Sequence, residues 1–226
     1  MLTGTFGCGK TLLAHTLFSR LNPNVFRMAL VANPRMKPVE LLRAIARSLG
    51  AEALPEKLSE MSIDYFHEVI EKLLKNNIQD GKRNLVIIDE AQTINDPDVF
   101  EELRMLLNYQ TTENYLLTLF LMGQPELKEK IAKNKQFSQR IPMSFHLEPL
   151  KTAEVAGYIA HRLKVAGTTK QIFTDEAIKA IVENSGGIPR RINQICDMSL
   201  TLGAHAQVKK VDADLVQEAV RTSSGN

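Results

Sequence analysis

Apolar positions along this chain follow two rhythms. Leu12, Leu13, Leu17, Phe18 and Leu21 recur at helical spacing and predict a helix. "NVFRMALVANP" then reads as a strand ending at Asn33 and Pro34. Pro38 opens a helix with Leu41, Leu42, Ile45 and Leu49 on one face, stopped by Gly50. Ala51 to Met61 reads as a loop. Ser62 is placed to cap a long helix striped by Ile63, Phe66, Val69, Ile70, Leu73 and Leu74. Asp80 and Gly81 make a turn. "NLVIIDE" and "YLLTLFLMG" are continuous apolar runs, the pattern of strands buried on both faces. Between them, Asp96 and Pro97 start a helix carrying Val99, Leu103, Leu106 and Leu107. Pro125 opens a short helix, and "MSFHL" reads as a last short strand. Strands alternating with helices predict an α/β domain built on a parallel sheet.

The rhythm changes near Pro149. From Thr152 onward only helices are expected, with caps at Thr152, Thr174 and Asp212 and a start near Pro189 after the stop at Gly186 and Gly187. The division expected is an α/β domain over 1–148, a small helical domain over 149–222 and a disordered tail over 223–226.

Composition narrows the function classes. The chain is 44% hydrophobic and 24% charged, as in ordinary globular domains. No apolar run is long enough to cross a bilayer, and nothing resembles a secretory signal. The two cysteines, Cys8 and Cys196, make neither a disulfide framework nor a metal spacing, which fits a reducing cytoplasm. A net charge of +2 gives no nucleic-acid-binding field by itself. The five histidines show no metal-like spacing.

Two short segments carry chemistry. Gly4, Thr5, Phe6, Gly7, Cys8, Gly9, Lys10 and Thr11 fill the pattern G-x-x-x-x-G-K-[ST], with Leu12 continuing into the helix. The glycines let successive backbone N–H groups turn inward as an anion nest, and the following helix aims its positive end at the same point. Lys10 adds a full charge for the β- and γ-phosphates, and the Thr11 hydroxyl can ligate Mg²⁺. In "LVIIDE", four apolar residues end in Asp89 and Glu90. An acid at the carboxyl end of such a strand sits where ligands bind in open α/β folds. Asp89 is expected in the Mg²⁺ shell beside Thr11, and Glu90 is placed to polarise an attacking water. Together the segments describe a site for ATP and Mg²⁺.

The chain resembles the AAA+ ATPases. "LTGTFGCGKTLLAHTL", "LVIIDEAQ", "LLNYQTTE", "LMGQPEL", "QRIPMSFHLEPL" and "SGGIPRRINQICD" are similar to the ATPase module of the general secretion pathway protein A (ExeA-type) group, from Leu2 to about Val220. A looser likeness is to ATPases that assist transposases. The resemblance implies a P-loop sheet core followed by a helical lid. It implies that Gln124 senses the γ-phosphate and that Arg140 is an arginine finger reaching a neighbouring subunit, hence a homo-oligomer. It further implies that Arg190 is a lid arginine that contacts the γ-phosphate.

The function expected is ATP hydrolysis that drives conformational change or assembly of a protein partner, of secretion or envelope type. Two alternatives remain: a DNA-associated transposition helper, and a nucleotide-gated scaffold with little turnover. Glu90 speaks against the scaffold, since a pure switch needs no water-activating acid. Only Met1, Leu2 and Thr3 precede the phosphate loop, fewer than the usual strand of about 5–6 residues. The first core strand is therefore expected to be truncated. That Met1 is an internal methionine of a longer protein is favoured over the alternative that the chain is a true remnant. The strands at Leu85–Asp89 and Leu116–Met122 are then expected to flank a gap, leaving a marginally stable chain that binds ATP weakly.

Overall fold

The computed structural model describes residues 1–52, 54 and 62–223. Most of the loop expected over Ala51 to Met61, and the end of the tail, lie outside the described residues. The chain divides by contacts into two units: Met1–Gly4 with Lys10–Leu147, and Thr5–Gly9 with Glu148 onward.

The first unit is a five-stranded sheet in the order β2-β3-β4-β1-β5. Its strands are β1 (Leu2–Gly4), β2 (Phe26–Val31), β3 (Arg83–Ile88), β4 (Leu117–Gly123) and β5 (Phe145–Leu147), and every pairing is parallel. The helices are α1 (Lys10–Arg20), α2 (Pro38–Leu49), α3 (Ile63–Gln79), α4 (Pro97–Leu106), α5 (Glu126–Lys133) and α6 (Lys135–Ser138).

The order corrects the expected gap. β3 and β4 are direct neighbours, in register from Asn84 opposite Leu117 to Ile88 opposite Leu121. β1 lies on the far side of β4, with Leu2 opposite both Met122 and Phe145. Three residues therefore suffice to bridge β4 and β5, and the backbone of β3 is paired on both sides by β2 and β4.

The alternation along β3 explains its continuous apolar run. Val86 and Ile88 join a core with Leu41, Leu42 and Ile45 of α2, Phe66 and Ile70 of α3, and Leu103 of α4. Leu85 and Ile87 face the opposite way, into a second core with Ala14 and Leu17 of α1 and Leu21 just past its end. Of the expected stripe, Leu17 and Leu21 thus pack into this core beside Ala14, whereas Leu12, Leu13 and Phe18 are exposed. Local caps follow the sequence: Ser62 Oγ accepts from the Tyr65 N–H at 3.0 Å, and the Asp96 carboxylate accepts from the Asp98 N–H at 3.0 Å. Asn84, buried in the strand, donates to the carbonyls of Leu74 and Leu116 and so ties α3 to the start of β4.

The second unit is helical: α7 (Thr152–Val165), α8 (Asp175–Ser185), α9 (Pro189–His205) and α10 (Ala213–Ser223). Its core is built from Val155, Ile159, Phe173, Ile181, Ile192, Ile195 and Val216. Thr174 and Asp212 cap α8 and α10. Thr152 is not a cap but the first helical residue. Lys151 precedes it, and the Glu154 carboxylate accepts from the Lys151 N–H at 2.7 Å. Residue 223, expected in the tail, is the last of α10.

Candidate functional site

The glycine-rich motif straddles the division of contacts, with Gly4 and Lys10 grouped with the sheet and Thr5–Gly9 with the helical unit.

In the sheet unit, Gly4 ends β1 against β5. A Cβ at Gly4 would lie 2.8 Å from the Leu147 carbonyl oxygen, so this glycine lets two strands approach. The Gly4 carbonyl accepts from the ammonium of Lys10 at 2.7 Å. Lys10 is only 5% exposed at the start of α1, a position that puts a cation beside the helix's free N–H groups. The Thr11 hydroxyl donates to Asp89 Oδ2 at 2.6 Å, joining residues 78 positions apart. Asp89 is 2% exposed, and its other oxygen accepts from the Glu90 N–H at 2.8 Å.

A hydroxyl against a buried carboxylate is a pair of hard oxygen donors, the kind Mg²⁺ takes together with phosphate oxygens and water. Thr11 and Asp89 therefore fit the metal. Among the described residues there is no cluster of three or more His, Cys, Asp or Glu that could hold a metal by itself.

Glu90 stands at φ 51 and ψ 33, a left-handed conformation that non-glycine residues seldom adopt. Its carbonyl accepts from the Thr93 N–H and hydroxyl, both at 2.8 Å. Its carboxylate is turned to Gln92, whose side-chain amide donates to Glu90 Oε2 at 2.5 Å. Gln124 follows β4 directly, and its backbone N–H donates to Gln92 Oε1 at 3.0 Å. Lys10, Thr11, Asp89, Glu90 and Gln124 are thus linked around the ends of β1, β3 and β4.

Arg140 is not in this group. It lies exposed past α6 and donates through Nη2 to Asn108 Oδ1 at 2.9 Å. Leu12 is 68% exposed.

In the helical unit, Gly7 and Gly9 take φ values of 88° and 100°, which only glycine adopts without strain. Cys8 is buried between them, and its N–H donates to the Thr5 carbonyl at 3.3 Å. A Cβ at Gly7 would meet Ile188 Cγ2 and Arg190 Cβ, each at 3.0 Å. The Arg190 N–H donates to the Gly7 carbonyl at 3.2 Å, and its guanidinium lies over the Phe6 ring.

Sequence reasoning gave no role to Gln92 or Lys130. The Lys130 ammonium donates to the carbonyls of Gln92 and Ile94, the latter at 2.8 Å, and so grips the segment after Glu90. The glutamine of "DEAQ" was visible in the sequence. Its partner was not, because that partner is a backbone N–H on another strand.

A family model described as AAA domain matches residues 1–131. General secretion pathway protein A from Aeromonas hydrophila is 37% identical over 226 residues, covering 99% of this chain and 40% of that protein. Among solved structures, the Aeropyrum pernix ORC2 protein in ADPNP-ADP complexes is similar with a TM-score of 0.73 at 19% identity, over 100% of this chain and 61% of that one. Cdc6p from Pyrobaculum aerophilum gives 0.74 at 17% identity, over 93% and 56%. This chain spans about two fifths of the length of the curated relatives it matches.

Proposed function

The chain belongs to the AAA domain family of ATPases, and on that premise we propose that it binds and hydrolyses Mg-ATP to drive a change of shape or assembly in a protein partner. The observation that carries this reading is the 2.6 Å bond from the Thr11 hydroxyl to the buried Asp89 carboxylate. It unites the two halves of a phosphate and metal site across the sheet.

In this reading Gly4 to Leu12 hold the phosphates by backbone N–H groups, and Lys10 offsets their charge. Thr11 and Asp89 would hold Mg²⁺, which supplies charge neutralisation at the phosphoryl oxygens. Glu90 accepts a proton from the attacking water. Gln124 and Arg190 contact the γ-phosphate. Arg140 serves the nucleotide of a second copy of the chain, which makes the working form a homo-oligomer. No described helix is long and apolar enough to cross a membrane. The cysteine usage supports a cytoplasmic setting. The 37% identity to general secretion pathway protein A favours an envelope or secretion partner over DNA.

The test compares phosphate release and ATP affinity in the parent, Lys10→Ala and Glu90→Gln. Lys10→Ala should lose ATP binding. Glu90→Gln should keep it and turn over about 10²–10⁴-fold more slowly. Chelation of Mg²⁺ should stop turnover in the parent. A parent with no Mg-dependent phosphate release overturns the functional reading, and a Glu90→Gln variant at the parental rate overturns the role of Glu90.

A further inference from the structure

Glu90 is fixed from several directions. Its N–H is engaged by Asp89, its carbonyl by Thr93, and its φ of 51 leaves the chain little freedom to relax. The carboxylate has a donor of its own in the Gln92 amide at 2.5 Å. The same amide accepts from the Gln124 N–H through Oε1 at 3.0 Å. Chemistry sets the orientation of that amide. Its oxygen must face the N–H, so its NH₂ must face the carboxylate.

Space has been cleared for this bridge. A Cβ at Gly123 would lie 2.6 Å from Gln92 Oε1 and 2.9 Å from Leu127 Cδ2. Any other residue at the end of β4 would push the amide away. Lys130 of α5 holds the backbone on which Gln92 stands, through the carbonyls of Gln92 and Ile94. Two elements that follow β3 and β4 are therefore joined through one side chain whose far end is the Glu90 carboxylate.

We propose that Gln92 is a positioning residue for hydrolysis, its amide aiming the Glu90 carboxylate and tying it to the backbone of Gln124 at the end of β4. This rests on the reading of Glu90 as the group that accepts the water's proton. Two consequences follow. The end of β4, where Gln124 stands, cannot shift without moving the carboxylate. Gln92 affects the rate through Glu90, since one end of its amide holds the Glu90 carboxylate and the other the Gln124 N–H.

The experiment compares Gln92→Met, Glu90→Gln and the double variant in steady-state ATP hydrolysis, ATP affinity and thermal unfolding. Methionine keeps the length and removes both polar contacts. The expected result for Gln92→Met is a kcat lower by about 10–100-fold, as misplacement of a catalytic group costs. Its KM, ATP affinity and melting temperature should stay close to the parent's. The double variant should be no slower than Glu90→Gln alone.

Parental kcat in Gln92→Met overturns the proposal. So does a loss of ATP affinity in step with rate, and so does a double variant slower than Glu90→Gln by the full Gln92→Met factor. Should Gln92→Met fail to fold, Gln92→Glu carries the test. It keeps the acceptor for the Gln124 N–H and sets a second carboxylate against Glu90, and parental turnover in it overturns the proposal. Parental turnover in Glu90→Gln is a separate result. It removes the role of Glu90 and is read without any change at Gln92.

Discussion

The guanidinium carbon of Arg190 lies 4.5 Å from the centre of the Phe6 ring. Phe6 is 57% exposed in the phosphate loop, so the contact is a cation–π pair at the surface, worth about 0.5–1 kcal/mol. It occupies the charge that the resemblance assigns to the γ-phosphate. If Arg190 serves ATP, it gives up the ring on binding. Phe6→Ala should then tighten ATP relative to ADP by about 2–5-fold, the factor that energy represents. Arg190→Ala should abolish the ATP over ADP preference. Titration of both nucleotides checks this, and equal weakening of ATP and ADP in Phe6→Ala would show that the ring itself serves the nucleotide.

The exposed Arg140 side chain donates to Asn108 Oδ1. An arginine finger is worth about 10³–10⁵ in rate where it acts. If Arg140 acts on a neighbour, turnover per subunit should rise with protein concentration. Mixing Arg140→Ala with Glu90→Gln should restore activity, since each supplies what the other lacks at a shared interface. Assembly without recovery counts against the trans role.

The sequence was most informative where structure is local. Ser62, Thr174 and Asp212 cap helices because a side chain and an N–H three residues on meet in any helix start. Thr11 and Asp89, expected side by side, are hydrogen-bonded to each other because both motifs occupy fixed places at strand ends. Strand order was not legible: nothing local says that β3 pairs with β4 while β1 crosses to β5. The packing face of α1 was legible only in part. Leu17 and Leu21 of the expected stripe do pack toward β3, together with Ala14, whereas Leu12, Leu13 and Phe18 keep helical spacing but are exposed. Gln92 stayed hidden because its partner is a main-chain group brought in by β4.

Burial holds the Cys196 thiol in its protonated form, pushing its pKa from an ordinary 9.0 up to about 12, with the charge of Asp197 adding to the effect. Between pH 9 and 12 the unfolded chain releases a proton that the folded chain keeps. The folded state then binds more protons, so stability falls as pH rises through that window. Cys196→Ala should flatten this alkaline loss. In the native parent, alkylation of Cys196 at pH 9 should run about 10³-fold slower than in the denatured chain, following the thiolate fraction. Denaturant titrations at pH 8 and pH 10 and a labelling time course check both. An alkaline slope unchanged by Cys196→Ala would remove the thiol as its source.

Gly186 and Gly187 follow α8 as a pair, and the structure separates their roles. Both have positive φ, 58° and 73°. A Cβ at Gly186 would meet open space, whereas one at Gly187 would lie 2.1 Å from the Leu150 carbonyl oxygen. That oxygen cannot easily move aside, because the Leu150 N–H donates to the Gly187 carbonyl at 2.9 Å and fixes the two backbones against each other. Gly186→Ala therefore carries only the left-handed strain, about 1–2 kcal/mol. Gly187→Ala carries that strain and an overlap with backbone, a further loss of about 1–3 kcal/mol or more. The pair also anchors the start of α9, since Ile188 and Pro189 follow at once, so the loss should appear in the unfolding of the helical unit. Thermal and denaturant unfolding of the two variants should place Gly187→Ala well below Gly186→Ala, with Gly186→Ala only modestly below the parent. Equal destabilisation would mean that Leu150 yields, and that the close approach of these two backbones does not hold the turn.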